Sequence, residues 1–311
     1  MMCSKAFLVL VLFVLALVPS NVAESLAELY WKSKLGNITM PKVIKASLQE
    51  GSNDGIVKLN SNFQKQQVDD KKYYHINYVH ENPIPQDGRV EFFTEEKLSM
   101  LGTKIKLHFN QIDDGSKFLP SHVTKSKAFA SHNLEEILNL LSVNPKSVEA
   151  KFISKMLKEC KEKGIKDEVR YCANSLKDMI DFITSRPHSK NSKLMVASTE
   201  EENETLMEYT IQKAQKLGND DKHNIVCHRL NNPFVVFLCH NIKSTDIYRV
   251  SLVGANGKQM NAIAVCHKNT SEWYPGHISF QLLKLKPGTK PICHVLSGDA
   301  VVWIQNQFDD Q

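Results

Sequence analysis

The hydrophobic pattern of the chain changes character between its middle and its last third. Between residues 131 and 183, apolar residues recur every three or four positions, in three stripes typical of amphipathic helices. Ser131 or Asn133 is placed to cap the first helix, and Gly164 is placed to end the second. The third stripe begins at Tyr171. We therefore predict that the first half of the domain is helical.

From residue 193 onward, apolar residues come instead in short runs of strand length. Asn256-Gly257 stands between two of these runs and is a strong hairpin signal. The pattern predicts an α+β fold, in which the helical half packs on a mainly antiparallel β-sheet. The predicted strands are 90–93, 104–109, 194–196, 209–211, 234–238, 248–253, 262–265, 278–285 and 301–304.

The chain divides into three segments. Residues 1–23 have a positive start at Lys5, a short apolar run and small residues near Ala23, which is typical of a secretory signal peptide. The apolar run is shorter than the roughly 20 residues of a membrane span, so we expect no membrane association after cleavage. Residues 24–87 are polar and are expected to be a variable, loosely ordered segment. Residues 88–311 form the predicted domain.

Composition and charge exclude several classes of function. A net charge of +5, spread along a chain that is 23% charged, is mild. No basic run with interleaved aromatic residues suggests a nucleic-acid partner. The sequence also contains no phosphate-binding loop, dinucleotide fingerprint, serine-hydrolase elbow or His-Glu-x-x-His motif. It gives no indication of oligomeric state.

The cysteine count predicts a protein of an oxidising compartment. Of seven cysteines, Cys3 lies in the predicted signal peptide, which leaves six, an even number. Cys160 and Cys172 flank Gly164 and are predicted to pair, closing a short loop that is stabilising by about 3 kcal/mol. The partners of the other four stay open. Three glycosylation sequons, at Asn37, Asn203 and Asn269, fit the same compartment.

Four Cys-His dipeptides in the last third are the strongest chemical pattern of the chain. Each follows an apolar pair, as expected for a strand end, and 10, 25 and 25 residues separate them. Neighbouring strand residues face opposite sides, so one layout sends the cysteines into the core and gathers the histidines on one wet face. Four neutral imidazoles gathered there suit a transition metal. The alternative is that the pairs only build disulfides and hydrogen bonds. The pairs are Cys227-His228, Cys239-His240, Cys266-His267 and Cys293-His294.

The remaining eight histidines show no patterned spacing. Each is expected to be a surface histidine or one with its hydrogen bonds satisfied, and none is predicted to be a ligand. They are His75, His80, His108, His122, His132, His188, His223 and His277.

The pattern CH-x10-CH-x25-CH-x25-CH resembles the signature of the plant BURP domain. Phe92-Phe93, followed by two acidic residues, resembles the double phenylalanine that opens that domain. Cys160, Cys172 and Trp303 also match its pattern. The resemblance covers roughly residues 88–307, together with the segments Tyr30-Trp31-Lys32 and Met40-Pro41-Lys42. It is nearest to the branch of the family that resembles the unknown seed protein.

The resemblance implies a function. It implies Cu(II) bound through His228, His240, His267 and His294, and a role in the seed, the cell wall or the vacuole. The implied destination is the extracellular space, the wall or a protein storage vacuole. An oxidising secretory compartment suits Cu(II) and keeps cysteine in disulfides.

Some members that this chain resembles are copper-dependent peptide cyclases. They form oxidative crosslinks at tyrosine or tryptophan side chains of a short core peptide. Residues 24–87 contain aromatic residues but no repeated core motif, so a separate peptide is favoured over self-cyclisation. The expected partner is a short aromatic-containing peptide or a component of the cell wall.

Overall fold

The structure is a computed structural model that describes residues 25–48, 59–60, 91–109, 112–166, 168–186, 192–201, 203–218, 223–241 and 243–307. The predicted signal peptide, and most of the segment predicted to be loosely ordered, lie outside the described residues. Two compact units divide the chain at Asn37 and Ile38. Among the described residues, no helix combines the length and the apolar character needed to cross a bilayer.

The first unit contains one described helix, α1 (Leu26–Leu35). It begins with a capping box, because the Ser25 side chain accepts from the Glu28 N–H and the Glu28 carboxylate accepts from the Ser25 N–H. It ends at Gly36, whose φ of 62° is readily adopted only by glycine.

The helices of the second unit lie mostly before residue 185, as predicted. Their N-termini are capped by short polar side chains, among them Asn133, Ser147 and Ser175. The helices are α2 (Lys42–Ala46), α3 (Glu96–Ser99), α4 (Ser121–Thr124), α5 (Lys127–Ser131), α6 (Leu134–Leu140), α7 (Val148–Lys161), α8 (Leu176–Thr184) and α9 (Ile278–Leu283).

The strands of the second unit form two antiparallel sheets. They are β1 (Phe92–Thr94), β2 (Lys104–Phe109), β3 (Val169–Ala173), β4 (Ser192–Ala197), β5 (Asn203–Leu217), β6 (Ile225–Arg229), β7 (Phe237–Asn241), β8 (Thr245–Gly254), β9 (Gln259–His267), β10 (Ile292–Val295) and β11 (Ala300–Gln307). The six-stranded sheet has the order β1-β10-β9-β8-β5-β2, and the five-stranded sheet the order β3-β7-β6-β11-β4. The predicted α+β class is confirmed, with two sheets where a single sheet was expected.

The two sheets share a hydrophobic core. Ile263 and Val265 of the six-stranded sheet belong to one cluster with Val226 and Val302 of the five-stranded sheet. Alternate residues of β9, including Ala264, belong to a second core on the other face of the six-stranded sheet. This separation follows from the two-residue period of a strand.

The helical layer packs on the five-stranded sheet. In α7 the buried residues Ile153, Met156 and Leu157 recur at helical spacing. They join a cluster that includes Phe234 and Leu238, the latter from β7. The predicted packing of helices on sheet is therefore confirmed.

Two element predictions are wrong. Tyr171 lies on β3, not in a helix, and its ring stacks on Phe182 of α8 at 4.7 Å between centroids. The short apolar run over residues 278–285 predicts a strand, but Ile278–Leu283 is a helix. Its N-terminus is capped by the His277 ring, which accepts from the Ser279 N–H. A short apolar run does not distinguish a helix from a strand. Here the N-cap formed by His277 favours the helix.

Three disulfides connect all six cysteines of the second unit. Cys160–Cys172 closes the loop between α7 and β3, as predicted, with 5.7 Å between Cα atoms. Cys227–Cys239 joins β6 to β7, and Cys266–Cys293 joins β9 to β10. The pairing of the other four cysteines, which the sequence left open, is thus one bond within each sheet.

We predict that the mature protein has no free thiol. Thiol labelling of the denatured, unreduced protein should leave all six cysteines unlabelled, and labelling after reduction should modify all of them. Two labelled cysteines before reduction would contradict the pairing.

Candidate functional site

The four Cys-His pairs lie on four strands that form two neighbouring antiparallel pairs. In the five-stranded sheet Cys227 of β6 stands directly opposite Cys239 of β7. In the six-stranded sheet Cys266 of β9 stands opposite Cys293 of β10. Directly opposite residues bring their side chains together on one face of a sheet. The register therefore forms both disulfides, with Cα atoms 3.9 and 4.0 Å apart.

The same registers place the histidines on the opposite faces. His240 is paired with Val226, and His294 with Val265. Both valines belong to the core between the sheets. Since side chains alternate along a strand, the four histidines share the face on which the two sheets meet.

The opening Phe92-Phe93 dipeptide follows the same alternation. Phe93 stands opposite Cys293 and lies in the same core as that cysteine. Phe92 stands opposite His294 and its ring lies 6.1 Å from the His294 ring. The double phenylalanine thus supplies one residue to each face of the sheet.

The four imidazole rings meet across the gap between the sheets. The centroids of the His228 and His240 rings are 5.3 Å apart, and those of His267 and His294 are 5.7 Å apart. His228 and His294 belong to different sheets, and their ring centroids are 6.4 Å apart. We call these four residues the histidine cluster.

The expectation that the histidines lie on a wet face is wrong. His240, His267 and His294 are only 4, 2 and 2% exposed, and His228 is partly buried. The physical reason is that the face carrying the histidines is the one that each sheet buries against the other. The four cysteines of the Cys-His pairs are fully buried, as expected.

Burial disfavours the charged form of two of these imidazoles, His267 and His294. Desolvation, together with the neighbouring His240 and His277, lowers the pKa of His294 to about 4. The pKa of His267 falls well below its usual value, first through burial and then through the nearby His294. Uncharged imidazole is the form that binds a metal ion.

His277 lies beside the histidine cluster, where no sequence pattern placed it. It is fully buried, and its Nδ1 lies 2.7 Å from the Ser279 hydroxyl. The buried Trp273 ring connects it to the cluster, with centroids 5.0 Å from His277 and 5.2 Å from His267. Burial lowers the pKa of His277 to about 4.

Two polar side chains hold the Nδ1 atoms of cluster histidines. Glu168 Oε1 lies 2.9 Å from His240 Nδ1, and the Thr245 hydroxyl lies 3.2 Å from His267 Nδ1. Burial alone would raise the pKa of the Glu168 carboxyl, but the hydrogen bond and charge of His240 outweigh it and lower that pKa. No sequence signal indicated Glu168, which is separated from His240 by 72 positions.

The donor chemistry of the histidine cluster fits a transition metal. Imidazole nitrogens suit copper and zinc, and the six disulfide-bonded cysteines are not available as thiolate ligands. Within the described ranges, no group of three or more His, Cys, Asp or Glu side chains is already arranged to hold a metal ion.

The glycosylation candidates are only partly described. Asn37 and Asn269 are exposed. The Asn269 side chain accepts from the Ser271 N–H at 3.1 Å, within its own sequon. The side chain of Asn203 lies outside the description, so its sequon stays a prediction.

We predict that the metal-free protein loses stability as the pH falls from 7 to 5. The unfolded histidines titrate near their ordinary value of 6.5, whereas His277 and His294 in the folded state titrate near 4. Between these values the unfolded state binds more protons, so the stabilisation is complete above pH 6.5 and is lost as the pH falls through 4. Each histidine contributes at most about 3 kcal/mol.

Urea unfolding at several pH values between 7 and 5 measures this loss. The variant His277→Gln should show a shallower dependence, because one of the titrating groups is gone. Stability that is equal or greater at pH 5 would contradict the lowered pKa values of His277 and His294.

Comparisons with known proteins agree with the residue pattern. The family model described as the BURP domain matches residues 91–305. The BURP domain protein RD22 of Arabidopsis thaliana is 37% identical over 72% of this chain and 58% of its own length. BURP domain-containing protein 5 of Oryza sativa subsp. japonica is 39% identical over 68% of this chain and 65% of its own length. BURP domain protein USPL1 of Arabidopsis thaliana is 31% identical over 68% of this chain and 79% of its own length.

The chain thus spans less than two-thirds of the length of the first two relatives. The predicted family is confirmed, while the seed-protein-like branch stays a prediction. The matched residues include all four Cys-His strands, both sheets' disulfides and the phenylalanine pair. This chain belongs to the BURP-domain family.

Proposed function

We propose that this protein binds copper in the secretory pathway, through His228, His240, His267 and His294. The observation that carries the proposal is the meeting of four imidazoles from two sheets in one largely buried cluster. Affinity of nitrogen sites for divalent metals is highest for Cu(II), and an oxidising compartment maintains that state.

The residues of the chain divide the work of such a site. His240, His267 and His294 are buried and would hold the metal away from bulk water, while the partly buried His228 lies nearest to an approach from solvent. The disulfides fix the strands that carry the histidines and withhold sulfur from the ligand set. When bound, copper would supply one-electron redox chemistry.

The proposed location and role rest on the family. BURP proteins are generally proteins of the secretory pathway. The apolar run near the N-terminus and six paired cysteines support the same route for this chain. We infer a role in the seed, the cell wall or the vacuole, with a wall component or a short aromatic-containing peptide as the partner.

The alternative function is a copper-dependent peptide cyclase. It would crosslink a tyrosine or tryptophan side chain of a core peptide, and dioxygen would be the oxidant that accepts the two hydrogens lost from the peptide. Burial of the cluster favours binding over this alternative, because a peptide side chain would need the sheets or His228 to move before it reached the metal. Loss of two hydrogens from an aromatic peptide, incubated in air with the copper-loaded protein, would instead favour the cyclase.

We predict that replacing all four cluster histidines by alanine abolishes copper binding. The measurement is the copper content and affinity of the purified protein after dialysis against Cu(II). The matched control replaces the exposed His122 and His132 by alanine and should keep the wild-type copper content.

A single substitution tests the same proposal if the fourfold variant does not fold. His228→Ala changes the least buried member of the cluster and should weaken Cu(II) affinity by more than about tenfold. Unchanged copper content in both the fourfold and the single variant would mean that the Cys-His pairs only build the fold.

A further inference from the structure

Glu168 is a buried carboxylate aimed at one histidine of the cluster. Its side chain is 3% exposed and that of His240 is 5% exposed. Glu168 Oε1 lies 2.9 Å from His240 Nδ1. A carboxylate is a pure acceptor when ionised, so this contact favours a hydrogen on Nδ1.

The loop between α7 and β3 is shaped around this carboxylate. The second oxygen, Glu168 Oε2, accepts from the Ile165 N–H at 2.9 Å, and the Glu168 N–H donates to the Ile165 carbonyl at 3.0 Å. A Cβ at Gly164 would lie 2.5 Å from Oε2, closer than real atoms approach. Only glycine at position 164 lets the carboxylate occupy its place.

Both ends of the loop are tied to the elements that carry the site. Cys160 at the end of α7 is bonded to Cys172 on β3. The strand β3 pairs with β7 so that Arg170 stands opposite His240 and Tyr171 opposite Cys239. The disulfide and the strand register therefore hold Glu168 and His240 at a fixed separation.

We propose that Glu168 is a positioning residue for His240. By accepting from Nδ1–H, it selects the tautomer in which Nε2 carries no hydrogen and orients the ring so that Nε2 serves as the metal-binding atom. Carboxylates that hold a histidine ligand in this way raise its basicity and typically change metal affinity by about 10–100-fold.

The metal part of this inference rests on the proposed copper function, whereas the tautomer part does not. Two variants test both. Glu168→Ala removes the acceptor. Gly164→Ala displaces the Glu168 carboxylate without mutating either Glu168 or His240. The matched control is Glu162→Ala, in the same loop, because Glu162 lines an open groove with His132 and Leu157.

Ring ¹⁵N chemical shifts of the metal-free protein report the tautomer directly. We expect the Nδ1–H form of His240 in the wild type and in Glu162→Ala, and a shift toward the Nε2–H form in both loop variants. Gly164→Ala should add nothing in a Glu168→Ala background, since both act through one contact. An unchanged tautomer in Glu168→Ala would overturn the inference.

Cu(II) titration of the same proteins supplies the second readout. Affinity should fall about 10–100-fold in Glu168→Ala and Gly164→Ala, and stay at the wild-type value in Glu162→Ala. A changed tautomer with unchanged affinity would overturn the positioning role. A wild-type protein that binds no Cu(II) would refute the copper function, and the ¹⁵N result alone would then decide whether Glu168 orients the ring.

Discussion

The register of two strand pairs is the constraint on which the rest of the site depends. Cys227 stands opposite Cys239, and Cys266 opposite Cys293, so each disulfide forms between nearest cross-strand neighbours. Because each histidine follows its cysteine directly, this register sends all four imidazoles to the other face. A slip of one residue in either pair would break a disulfide and turn the histidines away from one another.

Packing of the two sheets then converts a shared face into a buried cluster. The core between the sheets closes over His240, His267 and His294, and burial lowers the pKa of the last two. Such residues are costly to charge, which favours their retention as neutral ligands or hydrogen-bonding groups. The disulfides lie on the opposite faces, where they fix strand separation without entering the ligand set.

Much of this arrangement could be predicted from local sequence. The helical stripe of α7, the Asn256-Gly257 hairpin and the loop disulfide Cys160–Cys172 all follow from periodicity and spacing, and all are present. The strand ends of the Cys-His pairs were predicted from the apolar pairs that precede them. The prediction that the histidines lie on a wet face is wrong, because alternation along a strand shows which residues share a face but not what covers that face.

Contacts between residues that are far apart in the chain cannot be predicted from the local sequence pattern. Glu168 and His240 are brought together by the pairing of β3 with β7, and nothing near Glu168 in the sequence indicates that pairing. His277 caps a short helix whose alternating apolar residues resemble a strand. Because the sequence predicts a strand there, it does not predict that the His277 ring lies beside Trp273. In each case tertiary packing, not propensity, determines the neighbour.

We propose that the two sheets present nitrogen ligands, and no sulfur, to one metal site. X-ray absorption spectroscopy at the copper edge of the Cu(II)-loaded protein tests it most directly. We expect a first shell of nitrogen and oxygen scatterers, with the outer-shell scattering of several imidazole rings. A sulfur scatterer in the first shell, or a shell without imidazole scattering, would contradict the account.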